Sequence, residues 1–124
     1  MDGETPVFES LAAIFQVGDL PEALAFYTDV LGFEIAWTWG DPPSYASVCR
    51  DRVEINLGAP KQGEATAPRA AYITVTNIDA YYAGLCARGA VVTVPIGDRD
   101  YGMRDFTIAD PSGNTISYGQ AIAG

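Results

Sequence analysis

A chain of 124 residues, 48% hydrophobic and 19% charged, has the size of one domain and enough apolar content for a core. A chain of this size buries roughly two-thirds of its unfolded surface, so disorder is excluded. The 7 basic residues stand against 16 acidic ones, a net charge of -9, which argues against nucleic acid and leaves cationic ligands open.

In chain order, Leu11–Val17 (L-A-A-I-F-Q-V) reads as a strand. Asp19 is placed as an N-cap with Pro21 in the first turn, and Leu20, Leu24, Tyr27 and Leu31 recur at helical spacing until Gly32. Glu34–Trp39 is a β-rich run ended by the turn G-D-P-P-S. Tyr45–Arg50 and Arg52–Leu57 are two further strands around a tight turn at Asp51. Gly58–Pro68, rich in Gly, Pro and Ala, reads as a linker. The same order then restarts: strand Ala70–Val75, a helix capped by Asn77 with Ile78, Tyr81, Tyr82 and Leu85, a stop at Gly89, and strand Ala90–Pro95. After the loop G-D-R-D-Y-G come Met103–Ala109, the turn D-P-S-G-N, and Thr115–Ala121.

The two halves echo one another. Val17 meets Val75, Asp19 meets Asn77, Leu20 meets Ile78, and Gly32 meets Gly89 after one deletion. The expectation is an α+β fold in a single domain over 1–124, with repeat one at about 8–58, a linker at about 59–69 and repeat two at about 70–121. Two βαβββ halves, each with a helix on one sheet face, pack into an incomplete barrel with a shared cleft, a natural small-molecule site.

Absences narrow the chemistry. Without histidine, Ser-His-Asp and Cys-His catalysis and histidine-ligated metals are impossible. Cys49 and Cys86 make neither a disulfide framework nor a C-x-x-C pair and read as reduced, half-buried thiols. No apolar run is long enough to span a bilayer, and the acidic start M-D-G-E-T-P is unlike a signal peptide, so no membrane partner and a cytoplasmic protein are expected.

The segments A-F-Y-T-D-V-L-G-F and D-P-S-G-N, together with the repeat, resemble the vicinal oxygen chelate superfamily, which includes glyoxalase I, extradiol dioxygenases, fosfomycin-resistance enzymes and bleomycin-resistance proteins. The resemblance covers nearly the whole chain. It implies that metalloenzymes of the family draw ligands from positions that fall here on Ala12, Ala70 and Ser117, with Glu54 the one matching residue able to bind metal. Gln16 shares the parity of Ala12 but lies out of register. The metal site looks vacated, and no cofactor is expected.

The runs Y-A-S-V-C-R-D-R-V-E-I-N-L and Y-G-M-R-D-F-T-I-A-D-P-S-G-N are similar to segments of bleomycin-resistance proteins, metal-free dimers with an acidic cleft that stack a flat, cationic glycopeptide antibiotic on aromatic side chains. That likeness assigns Trp37, Tyr45 and Tyr101 to the ligand, because planar rings stack on aromatic faces and cations gain from the ring quadrupole. Glu54, Asn56 and Arg104 complete the candidate set. Asn56 stands where an apolar residue is expected, and Tyr101 replaces a larger Trp. Trp39 shares a strand face with Trp37 and reads as packing, as do the helical Tyr27, Tyr81 and Tyr82. For Glu54 two readings stay open, an ion pair with Arg104 or Arg50 and a contact with a cationic ligand; for Arg104, structural ion pairing stands beside the ligand role, and Asp105 likewise reads as a structural ion-pair partner.

Two functions follow from the resemblance. One is a metal-free, homodimeric binding protein of the bleomycin-resistance, antibiotic-resistance type that captures an aromatic, cationic small molecule. The other is a glyoxalase-type lyase or isomerase, or a related enzyme of the superfamily.

Overall fold

Eleven segments alternate in the order strand, helix, three strands, then strand, helix, three strands, with the first helix broken into an α and a π piece. The computed structural model describes residues 5–60 and 67–123. The middle of the expected linker and the first four residues lie outside them.

In the first unit, β1 (Ala12–Gln16), β2 (Glu34–Trp39), β3 (Tyr45–Arg50) and β4 (Val53–Gly58) form one sheet in the order β1-β4-β3-β2. In the second, β5 (Ala70–Thr74), β6 (Val91–Asp98), β7 (Met103–Ala109) and β8 (Thr115–Ala121) repeat it as β5-β8-β7-β6. Within each sheet the outer pair, β1/β4 or β5/β8, is parallel and the rest antiparallel. The repeat extends to single bonds: Val17 N donates to Gly58 O at 3.0 Å, and Val75 N donates to Gly119 O at 2.8 Å. These are two βαβββ modules of an α+β fold, and the sheets are not closed into one barrel.

Helix α1 (Leu20–Ala25) starts where expected, since Asp19 Oδ1 accepts from Glu22 N at 2.9 Å. It then widens into a π turn over Phe26–Val30. Thr28 Oγ1 donates back to Leu24 O at 2.9 Å, the local competition with helix bonding that bends helices. Gly32 ends the segment at φ 81, a left-handed conformation that favours glycine. Helix α2 (Ile78–Ala87) departs from expectation at its start. Asn77 has left-handed φ and ψ and makes no side-chain cap; Gln120 Oε1 accepts from Ile78 N at 2.9 Å instead. β6 also runs past Pro95 to Asp98, because two register shifts against β7 absorb the proline.

The core lies between the helices and one face of each sheet. Phe15, Ile55, Leu57, Val48 and Ala46 come from the first sheet, and Phe106, Ile108, Ile116 and Tyr118 from the second. Tyr27, Tyr81 and Tyr82 pack there as expected, Tyr81 on Tyr118 at 4.9 Å between ring centroids and Tyr82 on Phe106 at 4.7 Å. Cys49 is half-buried; Cys86, on α2, is exposed rather than half-buried.

The turn D-P-S-G-N proves to be the staple between the modules. Asp110 accepts from the amides of Ser112 and Asn114, from Asn114 Nδ2 and from Tyr27 Oη. Asn114, fully buried, donates to Gln16 O at 2.8 Å and accepts from Arg69 N at 2.8 Å, which locks the end of β1 to the start of β5. Burial and the Asp110 carboxylate push the Tyr27 phenol far above its ordinary value, so it stays a neutral donor. No helix among the described residues is long and apolar enough to cross a membrane.

Candidate functional site

Strand alternation gives each sheet a second, open face, and nearly all the sequence-predicted site residues stand on one. On the first sheet the register places Trp37, Ser47, Asn56 and Ile14 in one row across β2, β3, β4 and β1. The next row along is Trp39, Tyr45, Gly58 and Gln16, and the row on the other side holds Cys49, Glu54 and Ala12. The Trp37 and Tyr45 rings lie 5.6 Å apart at an interplanar angle of 40°, and Trp37 remains 42% exposed. Tyr45 can lie flat because its register partner is glycine: a Cβ on Gly58 would meet the ring at 2.7 Å.

Glu54 shares this face, and its partner differs from both expected arginines. Ser47 Oγ donates to Glu54 Oε2 at 3.0 Å. Arg50 points to the other side of the sheet, where it donates to Leu31 O and lies over the Tyr81 ring at 5.4 Å. Asn56 contributes the only buried side-chain acceptor among the described residues without a hydrogen bond, its Oδ1.

The open face of the second sheet carries a different cluster. Asp105 is 5% exposed and accepts from Tyr72 Oη at 2.9 Å, Tyr101 Oη at 2.6 Å and Arg99 Nε at 2.7 Å. Burial alone raises the carboxyl pKa, but the hydrogen bonds from Tyr101, Arg99 and Tyr72 outweigh it and hold the group below its ordinary value. Burial and the bond to Asp105 push the Tyr72 phenol up to about 12. Tyr72 and Tyr101 still expose 49% and 64% of their surface, so they form an anchored aromatic pair facing outward. Beside them Thr107 and Ser117 bond each other at 2.7 Å.

Of the six expected residues, then, Trp37, Tyr45, Glu54 and Asn56 share the first sheet's open face, and Tyr101 belongs to that of the second. Arg104 is not brought to either. It alternates with Asp105 along β7, so it faces the helix side, bonded to Asp79 at 2.8 Å and Asp98 at 3.1 Å. Sequence reading missed Ser47, Tyr72 and Arg99, while the ion pairing expected of Asp105 is met by Arg99 at 2.7 Å. A signal for Ser47 existed: counting outward from the turn at Asp51 pairs Cys49 with Glu54 and Ser47 with Asn56.

The donor set at the family's metal positions does not fit a divalent ion. Ala12 and Ala70 offer no donor, the Ser117 hydroxyl is bonded to Thr107, and Glu54 is bonded to Ser47. Among the described residues no three Cys, Asp or Glu side chains converge. A pocket of about 740 Å³ between Arg50, Arg52, Ile73, Asn77, Tyr81 and Tyr118 lies on the helix side of the sheets. It includes none of the open-face rings Trp37, Tyr45, Tyr72 and Tyr101, and Arg50 on its wall is already engaged with the Leu31 carbonyl and the Tyr81 ring.

Residues 10–118 match the family model of the Glyoxalase/Bleomycin resistance protein/Dioxygenase superfamily, and the chain belongs to that superfamily. No curated protein matches the sequence. Among solved structures it is similar to TnmS3, an antibiotic binding protein from Streptomyces sp. CB03234, with a TM-score of 0.79 and 21% identity over 95% of this chain and 99% of that one. The bleomycin-binding protein from bleomycin-producing Streptomyces verticillus, solved with copper(II)-bleomycin, gives 0.73 and 25% over 97% and 99%. Lactoylglutathione lyase from Agrobacterium tumefaciens gives 0.77 and 20% over 93% and 95%. The fold is thus shared by antibiotic-binding proteins and by a lyase.

Proposed function

We propose that the chain is a cytoplasmic, homodimeric binding protein that sequesters a flat, cationic aromatic molecule, an antibiotic by analogy with TnmS3 and the bleomycin-binding protein. The observation that carries this reading is the outward-facing Trp37–Tyr45 pair, with the Glu54 carboxylate on the same face and no arginine in contact with it. Stacking supplies affinity and the carboxylate favours a cation. The second sheet adds Tyr72 and Tyr101, held by Asp105.

A dimer is supported by the apolar side chains beside the ligand rings that the open faces present to solvent in a single chain, among them Ile14, Trp39 and Val94. Covering such a patch with a second copy removes it from water. Light scattering at micromolar concentration is expected to give twice the chain mass, and a monomer mass would contradict the dimer.

The function is tested by titrating bleomycin, a glycopeptide antibiotic, into the protein while following tryptophan fluorescence, since Trp37 and Trp39 are the 2 tryptophans in the chain. Saturable quenching that is lost in Trp37→Ala supports the reading. Turnover of the hemithioacetal of methylglyoxal and glutathione, retained by Trp37→Ala and Tyr45→Ala, would instead establish the lyase alternative.

A further inference from the structure

One buried acceptor on the first sheet's open face has no donor among the described residues, and the second sheet shows why. There Thr107 and Ser117 stand opposite one another across β7 and β8 and close a hydrogen bond at 2.7 Å. The matching pair across β3 and β4 is Ser47 and Asn56. Ser47 turns its hydroxyl to Glu54 Oε2 instead, and Asn56 Oδ1 is left shielded from water and unbonded. Such an atom costs free energy until a donor reaches it, and an apolar residue at this strand position would carry no such cost.

The residue as a whole is only partly buried, and the terminal torsion of Asn is broad, so a small rotation presents Oδ1 at the face. Glu54 and Asn56 are alternate residues of β4, with their Cα atoms about 7 Å apart along the strand and their side chains on the same side. Trp37 stands in the row of Asn56, its ring tilted 40° to that of Tyr45. The face therefore offers a ring surface, a carboxylate and a neutral acceptor in want of a donor.

Resting on the binding function proposed above, we infer that the recognised group of the ligand is a planar cation with N–H donors at its edge. An amidinium, a guanidinium or a protonated amino-heteroaromatic ring fits this description. Its plane lies against Trp37 and Tyr45, and its N–H edge is divided between the Glu54 carboxylate and Asn56 Oδ1. A quaternary aromatic cation has the same charge and ring but no N–H, and it leaves Asn56 unbonded. Selectivity for donors over charge alone is thus built into β4.

Two probes of similar size separate these cases: 2-naphthamidinium, with four N–H donors, and N-methylquinolinium, with none. Each is titrated by calorimetry and tryptophan quenching into wild type and Asn56→Leu, whose fold is verified by its thermal unfolding. Wild type is expected to bind the amidinium at least about tenfold more tightly, the scale of one hydrogen bond to a charged donor. In Asn56→Leu the ratio narrows severalfold, because only the Glu54 carboxylate then accepts from the amidinium edge. Equal binding of both probes by wild type overturns the inference, as does a ratio unchanged in Asn56→Leu; in either case the aromatic-cation function stands. Failure of wild type to bind either probe removes that function and the inference with it.

Discussion

Each sheet carries a carboxylate on its open face, and the two are treated in opposite ways. Asp105, on β7, is buried and holds one guanidinium and two phenols; its charge is consumed by the protein. Glu54, on β4, receives a serine hydroxyl, and neither Arg50 nor Arg104 reaches it. The difference follows from what the neighbouring positions supply. The loop after β6 brings Arg99 and Tyr101 back over its own sheet, whereas the turn between β2 and β3 brings no charged donor to Glu54. A single repeat has thus diverged into a self-satisfied half that orders rings and an unsatisfied half that can answer a ligand.

The comparison predicts unequal costs of removal. Asp105→Leu removes the acceptor shared by Arg99 and two phenols and should destabilise the fold in urea unfolding by more than Glu54→Gln, which should cost less than about 1 kcal/mol. Equal costs would break the contrast between the halves. Because the folded-state pKa of Asp105 lies below its ordinary value, its contribution is present above about pH 4. That contribution is lost as pH falls through the folded value, and the acid limb of stability should therefore shrink in Asp105→Leu.

On the ligand side, Tyr45→Ala should weaken binding by about 1–3 kcal/mol, the usual loss for an aromatic anchor, read by calorimetry with thermal unfolding unchanged. Undiminished affinity would move the site off the first sheet. Glu54→Gln should weaken binding less and reduce its dependence on salt, as expected for a charge meeting a cation.

Asn56→Leu should raise stability by about 1 kcal/mol, because it removes a buried acceptor without a partner. Ser117→Val, at the matching place on β8, should lower stability, since it leaves the Thr107 hydroxyl alone. Opposite signs sharpen the comparison, and equal signs remove it.

The smallest effect concerns the alkaline limb. Tyr72 titrates near 12 in the folded chain against 10.0 for a free tyrosine, so its stabilisation is complete below pH 10 and is lost as pH rises through about 12. Tyr72→Phe should flatten that part of the thermal-midpoint profile slightly, and an unchanged profile would show that its bond to Asp105 contributes nothing.

The sequence by itself determined the repeat, the eight strands, both helices and the superfamily, because each rests on local rules. Alternation and helical spacing mark the elements, Asp19 caps the first helix, and Gly32 needs φ 81 where the chain must turn. Trp37, Tyr45, Glu54 and Asn56 were legible as one face, since strand parity and a tight turn at Asp51 fix their register. Tyr72 and the partners of Asp105 were not, because a tyrosine in A-A-Y-I-T becomes an outward ring only once β8 sets Gly119 near it, and Asp105, legible only as an ion-pair candidate, becomes buried when residues from two other segments close over it. The same holds for D-P-S-G-N. Its residues announce a turn, but only the packed chain brings Tyr27, Gln16 and Arg69 within hydrogen-bond reach of it. Local sequence sets which way a side chain points, and tertiary packing decides what it meets there, because partners 33 or 98 residues away are chosen by the whole core at once.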